Sequence, residues 1–273
     1  MKAGCSLLTH QDMAGAVQAG FDYVEFMGKY LVSLSEREFE EIQRKQDKLS
    51  LKVLGLNGYC SPRLRMTGAG FDLAEVRKYA KACAVRASRL GVQVVGIGSP
   101  LSRDISVGES AAEAMERMKQ FLTVTSEEFA GYDIKVCLEA LADCYCNFIN
   151  FLPEAAEVVD SLQIPNLALV VDFYNMEHMN EADRELYPYS RHIAHAHISD
   201  DDGGPDRRSY LKYEKAKVHQ KRIRRLLDAG YQGAVSLEID CRIDPKKAGE
   251  SARIMKQAAI SGERGESGDV HQG

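Results

Sequence analysis

The chain has 273 residues, 45% of them hydrophobic and 27% charged, with a formal net charge of -5. This is enough apolar material for a sizeable core, and it excludes a disordered chain, a collagen-like repeat and a disulfide-stapled miniprotein. The acidic balance argues against a surface built to neutralise nucleic-acid phosphates or anionic lipid, so neither nucleic acid nor membrane is expected as a partner. Seven cysteines without regular spacing read as the reduced thiols of a cytoplasmic protein. Ala3-Gly4-Cys5 imitates the end of a lipoprotein signal, but no apolar region precedes it and Asp12 follows too early for export. No apolar run approaches the roughly 18–20 residues that cross a bilayer.

In chain order, short apolar runs alternate with longer amphipathic segments. Strands are expected at 3–7, 23–26, 51–57, 92–98, 134–138, 167–171, 193–198 and 234–239. Each is rich in Val, Ile, Leu or Ala and almost continuously apolar, the pattern of parallel strands buried on both faces. Helical spacing marks 72–90, 109–130, 152–162 and 219–229. Ser35 with Glu38 fits a capping box opening a helix over 35–48. Gly20, Gly91, Gly131 and Gly230 stand where helices should stop, each suited to a left-handed residue. Strand then helix, eight times over, predicts a single-domain α/β fold, the (β/α)8 TIM barrel, over residues 1–260. An open doubly wound sheet is the alternative. The polar, glycine-rich segment 261–273 reads as a disordered tail.

In such a barrel the functional groups gather where the strands end. The polar residues closing the apolar runs are Glu25, Glu139, Asp172, His197 and Glu238. A single acid at a strand end is ordinarily solvated, and a lone strand histidine is ordinarily a satisfied core residue. Four ligand-type residues closing strands five to eight are harder to explain that way. Three carboxylates in one barrel mouth would repel one another, and a divalent cation resolves the conflict. Glu139, Asp172, His197 and Glu238 are therefore expected to share one ion. Three oxygens and an imidazole suit Mn2+ first, with Mg2+, Co2+ or Zn2+ as alternatives.

Six stretches carry a family resemblance: GFDYVEF at 20–26, GSPLSR at 98–103, VCLEAL with CNFIN at 136–150, LVVDFYNM at 169–176, HAHISD at 195–200 and AGYQGAVSLEID at 229–240. They resemble the sugar-phosphate isomerase/epimerase superfamily of xylose-isomerase-like barrels, near the ketose 3-epimerases and hydroxypyruvate isomerases. The resemblance implies that Glu139, Asp172, His197 and Glu238 hold a metal and that Glu139 and Glu238 are also the catalytic proton-transfer groups. The chain departs from the pattern in three places. Asn175 stands where the family has a substrate-binding His, with His178 three residues on as a substitute. Ala142-Asp143 and Tyr145 stand where Asn-Arg and Glu are usual. Gly203-Gly204-Pro205 displaces the expected arginine to Arg207 or Arg208.

Arg103 can bind a substrate hydroxyl or carboxylate, or close a structural ion pair. With Asn175, His178, Arg207, Arg208 and Glu25 it makes up the expected substrate contacts. The implied chemistry is isomerisation or epimerisation of a small ketose, keto-sugar or related hydroxy-carbonyl compound. A carboxylate would abstract a proton to give an enediolate stabilised by the metal. The same first step can end in elimination, so a lyase of the inosose or dehydroshikimate dehydratase kind, or one acting on a keto-glycoside, is the alternative. A non-catalytic carbohydrate-binding or partner subunit is the second. The lack of a glycine-rich phosphate cradle favours an unphosphorylated sugar or keto-polyol, and pairing of barrels into homo-oligomers stays open. Four further signals are set aside: His195-Ala196-His197 as an amidohydrolase pair, which would close the first barrel strand rather than the seventh; the cysteines 137, 144 and 146, read as packed thiols; Gly96-Ile97-Gly98, a strand-end turn; and the basic cluster at 221–225, a solvated face.

Overall fold

The computed structural model describes residues 1–203 and 207–260 of the chain. Its strands are β1 (Lys2–Leu7), β2 (Tyr23–Met27), β3 (Lys52–Asn57), β4 (Val94–Ile97), β5 (Lys135–Glu139), β6 (Leu167–Asp172), β7 (Ile193–Ile198), β8 (Asp200–Asp201), β9 (Arg208–Ser209) and β10 (Ala234–Leu237). Eight of them close a barrel in the order β1-β10-β7-β6-β5-β4-β3-β2. All neighbours are parallel, and β1 pairs with both β2 and β10, so the sheet has no edge and the open-sheet alternative falls. Every one of the eight expected strands is present, their ends moved by a residue or two. The strands are apolar throughout because one face lines the barrel and the other lies under helices.

The helices are α1 (Met13–Ala19), α2 (Gly28–Ser33), α3 (Glu36–Leu49), α4 (Leu73–Leu90), α5 (Pro100–Arg103), α6 (Ala111–Ala130), α7 (Leu152–Leu162), α8 (Phe173–His178), α9 (Ala216–Asp228) and α10 (Pro245–Ile260). The expected box at Ser35 forms: Glu38 N donates to Ser35 Oγ at 3.3 Å and Ser35 N to Glu38 Oε2 at 2.7 Å. Gly20 and Gly91 close α1 and α4 with φ of 85° and 78°. Gly131 does not follow that rule, since its φ is -65°. The turn runs on through Tyr132 and Asp133, whose amides bond to Phe129 and Ala130, and the left-handed residue is Asp133. An aspartate tolerates that conformation better than most side chains.

The interior is shaped by absent side chains on two strands. A Cβ at Gly4 of β1 would lie 2.2 Å from the Tyr23 ring, and one at Gly55 of β3 would lie 2.7 Å from the Glu25 carboxyl carbon. Both glycines clear room for polar groups that β2 points inward. Beyond β7 the chain makes a small antiparallel ladder, β8 with β9, that sequence periodicity did not foretell. Two-residue strands are below its reach. Among the described residues no helix is long and apolar enough to cross a membrane. The segment expected to form a tail, 261–273, lies outside the described residues.

Candidate metal centre

The rim of the barrel brings the expected quartet together. Glu139 ends β5, Asp172 ends β6, His197 sits one residue before the end of β7, and Glu238 follows β10. Register does the alignment: Asp172 pairs with His197, and His197 with Ser236 two residues before Glu238. One donor atom from each of the four lies within 4.8 Å of all the others. Glu139, Asp172 and His197 are buried, and the Glu238 side chain is 16% exposed toward the mouth.

Each ligand-type side chain is held by one group and presents another to the centre. Asp172 caps α8, its Oδ1 accepting from Tyr174 N at 2.7 Å, which leaves Oδ2 facing inward. Glu238 Oε1 accepts from Asn57 Nδ2 at 3.0 Å, and Oε2 faces the quartet. His197 Nε2 lies 3.1 Å from Glu25 Oε2. Its Nδ1, 3.5 Å from Glu238 Oε2, is buried without a hydrogen-bond partner. A proton on Nε2 shared with Glu25 leaves the Nδ1 lone pair turned to the centre, the arrangement of a ligating imidazole with a carboxylate behind it. The orphaned Nδ1 and the three converging carboxylates fit a divalent cation.

Burial sets the electrostatics. It pushes Glu139 well above the usual carboxylate range, with Asp172 and Glu238 adding to the rise. Burial raises Glu238 as well, against the pull of Arg208 and His197. Asp172 resists its burial because Arg208 and His197 hold its carboxyl low. For His197, burial opposes the charge, but Glu238, Glu25 and Glu139 outweigh it and push the imidazole up to about 10, so a cation at the centre would have to displace the Nδ1 proton.

Behind the quartet lies a second polar cluster. Glu25 is wholly buried between His195 and His197, with the His195 Nε2 at 2.5 Å. Ser236 Oγ donates to Glu25 Oε1, and the Tyr23 hydroxyl meets Ser236 Oγ at 2.6 Å. Burial disfavours the Glu25 carboxylate, yet the two imidazoles hold it well below its ordinary value. Glu25 is thus no substrate contact, because its oxygens are engaged inside the barrel.

Other expected contacts are also relocated. The Asn175 amide donates to Glu139 Oε1 at 3.0 Å and Asp172 Oδ2 at 3.1 Å, and its oxygen accepts from Ala142 N at 3.2 Å. It bridges two of the quartet and has no group left for a sugar. The Arg103 side chain is fully buried, donating to the carbonyls of Ile97, Glu139 and Ile149 at 3.3, 2.7 and 3.0 Å. It is neither a substrate contact nor an ion pair but a tie between loops. His178 lies edge-on to Tyr174, ring centroids 4.6 Å apart, outside the quartet. Arg207 is 74% exposed and faces Asp202 at 3.9 Å. Of the two expected arginines only Arg208 enters the centre. Its Nη1 lies 2.6 Å from Asp172 Oδ2 and 2.8 Å from Glu238 Oε2, and Nη2 lies 4.0 Å from Glu139 Oε1.

Above the quartet opens a cavity of 220 Å3 bordered by Glu139, Glu238, Arg208, Tyr145, Leu141 and Cys60. Lys29 reaches this cavity and a smaller one of 120 Å3 beside Glu238. Sequence reading missed Lys29, Asn57, Ser236 and Tyr23. His195 had a signal, since it stands two residues before His197 and so shares its face of β7.

A closed parallel barrel with its ligand-type residues at the C-terminal strand ends defines the class, a TIM barrel with a rim-borne site. The chain belongs to the xylose isomerase-like TIM barrel family, which matches residues 13–258. No curated protein sequence matches it. Among solved structures, 3-keto-D-glucoside 4-epimerase YcjR from E. coli superposes with a TM-score of 0.73 at 18% identity, over 95% of this chain and 99% of that one. D-psicose 3-epimerase from Clostridium cellulolyticum H10 gives 0.70 at 15% identity, over 97% and 99%. The IolI protein, solved with a zinc atom, gives 0.66 at 19% identity, over 96% and 97%.

Proposed function

We propose that the protein is a divalent-metal-dependent isomerase or epimerase of a small ketose, keto-sugar or related hydroxy-carbonyl compound. The observation that carries this reading is the pair Glu139 and Glu238, two carboxylates of one donor quartet, the first buried and the second partly exposed, that border the same cavity. Glu139, Asp172, His197 and Glu238 would hold the cation, with Mn2+ the best match to three oxygens and one imidazole. When bound, it supplies Lewis acidity to a substrate carbonyl and balances the carboxylate charge.

The chain's own residues do the rest. Asn175 fixes Glu139 through Oε1, and Glu139 Oε2 lies where a Cβ at Gly98 would be only 2.6 Å away. Gly98 thereby leaves that oxygen free to take a proton from the carbon beside the carbonyl. Asn57 fixes Glu238 through Oε1 in the same manner. Glu139 ends β5 and Glu238 follows β10, with β6 and β7 between them around the barrel, so they approach the cavity from different sides. One removes a proton and the other returns it, to the far face of the same carbon for epimerisation or to the neighbouring carbon for isomerisation. Tyr145, Leu141 and Cys60 border the cavity and limit water, and its 220 Å3 suits a single sugar rather than a polymer. The likeness in fold to two sugar epimerases supports the same reading.

The test is solvent-proton exchange. Mn2+-loaded protein is incubated in D2O with ketoses, keto-inositols and hydroxypyruvate, and products are read by NMR, with Asp172→Ala as control. Deuterium next to a carbonyl with the native protein alone is the expected result. An enone product would replace the isomerase reading with a lyase. Failure to retain any divalent cation, together with no exchange, would remove the enzyme reading.

A further inference from the structure

Arg208 makes a contact that substrate binding does not require. Its Nη1 touches Asp172 Oδ2 and Glu238 Oε2, two of the inward-facing oxygens of the quartet. A divalent cation bound by those oxygens and the guanidinium would repel each other across a few ångströms of buried space, where such repulsion is strong. Each therefore weakens the other's hold on these oxygens.

We propose that Arg208 is an internal counter-ion that competes with the divalent cation for Asp172 and Glu238 and withdraws into the cavity when the cation binds. The inference rests on the quartet being a cation site. Its backbone does not make the move. Arg208 N donates to Asp240 Oδ2 at 3.1 Å, its carbonyl accepts from Asp240 N at 3.1 Å, and β9 pairs with β8. Asp200 on β8 is anchored in turn by Lys212 N at 2.7 Å and by His219 Nε2 at 2.8 Å. The motion therefore belongs to the side-chain torsions of Arg208. Where it stands, the guanidinium already lies 4.8 Å from the Tyr174 ring centre and 5.8 Å from that of Tyr145, which borders the cavity, so a turn toward Tyr145 would keep an aromatic face beside it. Withdrawn there, it meets the oxygen-bearing end of the substrate. Arg208 thus sets how tightly the cation is held, and it couples cation uptake to the readiness of the substrate cavity.

Calorimetric titration with Mn2+ of the native full chain, Arg208→Gln and Arg208→Lys tests this. Arg208→Gln should bind Mn2+ about tenfold more tightly than the native protein. Without cation it should unfold at a lower temperature, and saturating Mn2+ should close that gap. Arg208→Lys should fall between the two in affinity. Equal or weaker affinity in Arg208→Gln overturns the competition and leaves the cation site standing. No uptake by any of the three overturns both. A readout free of mutation is the 15N side-chain resonance of Arg208 in native protein: it should shift on adding Mg2+, and a resonance that stays put while Mg2+ binds overturns the proposal.

Discussion

Two clusters of acid and imidazole share His197, and they are built in opposite ways. The inner one, Glu25 with His195, Ser236 and Tyr23, is buried and sets one carboxylate between two imidazoles and a hydroxyl. The outer one, Glu139, Asp172 and Glu238, gathers like charges around a buried Nδ1 without a partner and opens to a cavity. Burial acts on both, but the imidazoles drive Glu25 low while the neighbouring acids drive Glu139 high. A buried carboxylate set among its own counter-groups steadies the scaffold, whereas carboxylates crowded together favour a cation.

The contrast can be broken most forcefully in the outer cluster. Glu139→Gln should cut turnover by about 10^2–10^4-fold, while the unfolding midpoint stays level or rises because a carboxylate in conflict has been neutralised. A fall in stability to match the fall in rate would show that the two clusters are not different in kind. Glu25→Ala should do the reverse. Leaving two imidazoles in the barrel without their carboxylate should cost about 3–5 kcal/mol of stability in urea unfolding. A change under 1 kcal/mol would mean that water replaces the carboxylate and that the inner cluster holds little together.

A third acid–imidazole pair sharpens the comparison with a smaller effect. Asp200 is buried, and although burial opposes its charge, the bonds from His219 and Lys212 hold its carboxyl down at about 2. Its folded value lies below its unfolded one, so its stabilisation is present above about pH 4 and disappears as pH falls through 2. Asp200→Asn should lose at most about 2 kcal/mol at neutral pH, and native and variant stabilities should converge between pH 4 and 2. Urea midpoints measured down that range check it. A gap that stays constant with pH would assign the loss to packing rather than charge.

Nearly all of the barrel was legible in the sequence, because strands buried on both faces announce themselves as apolar runs and helix stops as glycines. The quartet was legible for a related reason, since strand ends converge in a closed barrel. What stayed hidden was the depth of each polar residue. Glu25 closes an apolar run just as Glu139 does, but β2 continues to Met27 and slips its register against β3 between Val24 and Glu25. Glu25 consequently faces Gly55 inside the barrel. Periodicity records which face a residue is on and nothing of its height. The partner of a long side chain is hidden too: neighbouring Arg207 and Arg208 look alike in sequence, yet the β8–β9 ladder sends one to solvent and the other into the quartet.

The tie made by Arg103 bears on how the cavity wall can vary. That guanidinium grips the carbonyl of Glu139 from behind and that of Ile149 at the far end of the following loop, so the acid is held there as well as through Asn175, which is tied to Ala142 N. The side chains of Leu141 and Tyr145, which border the cavity, take no part in that grip. The backbone grip on Glu139 and the side chains that shape the cavity wall are separate features of one strand end and its loop.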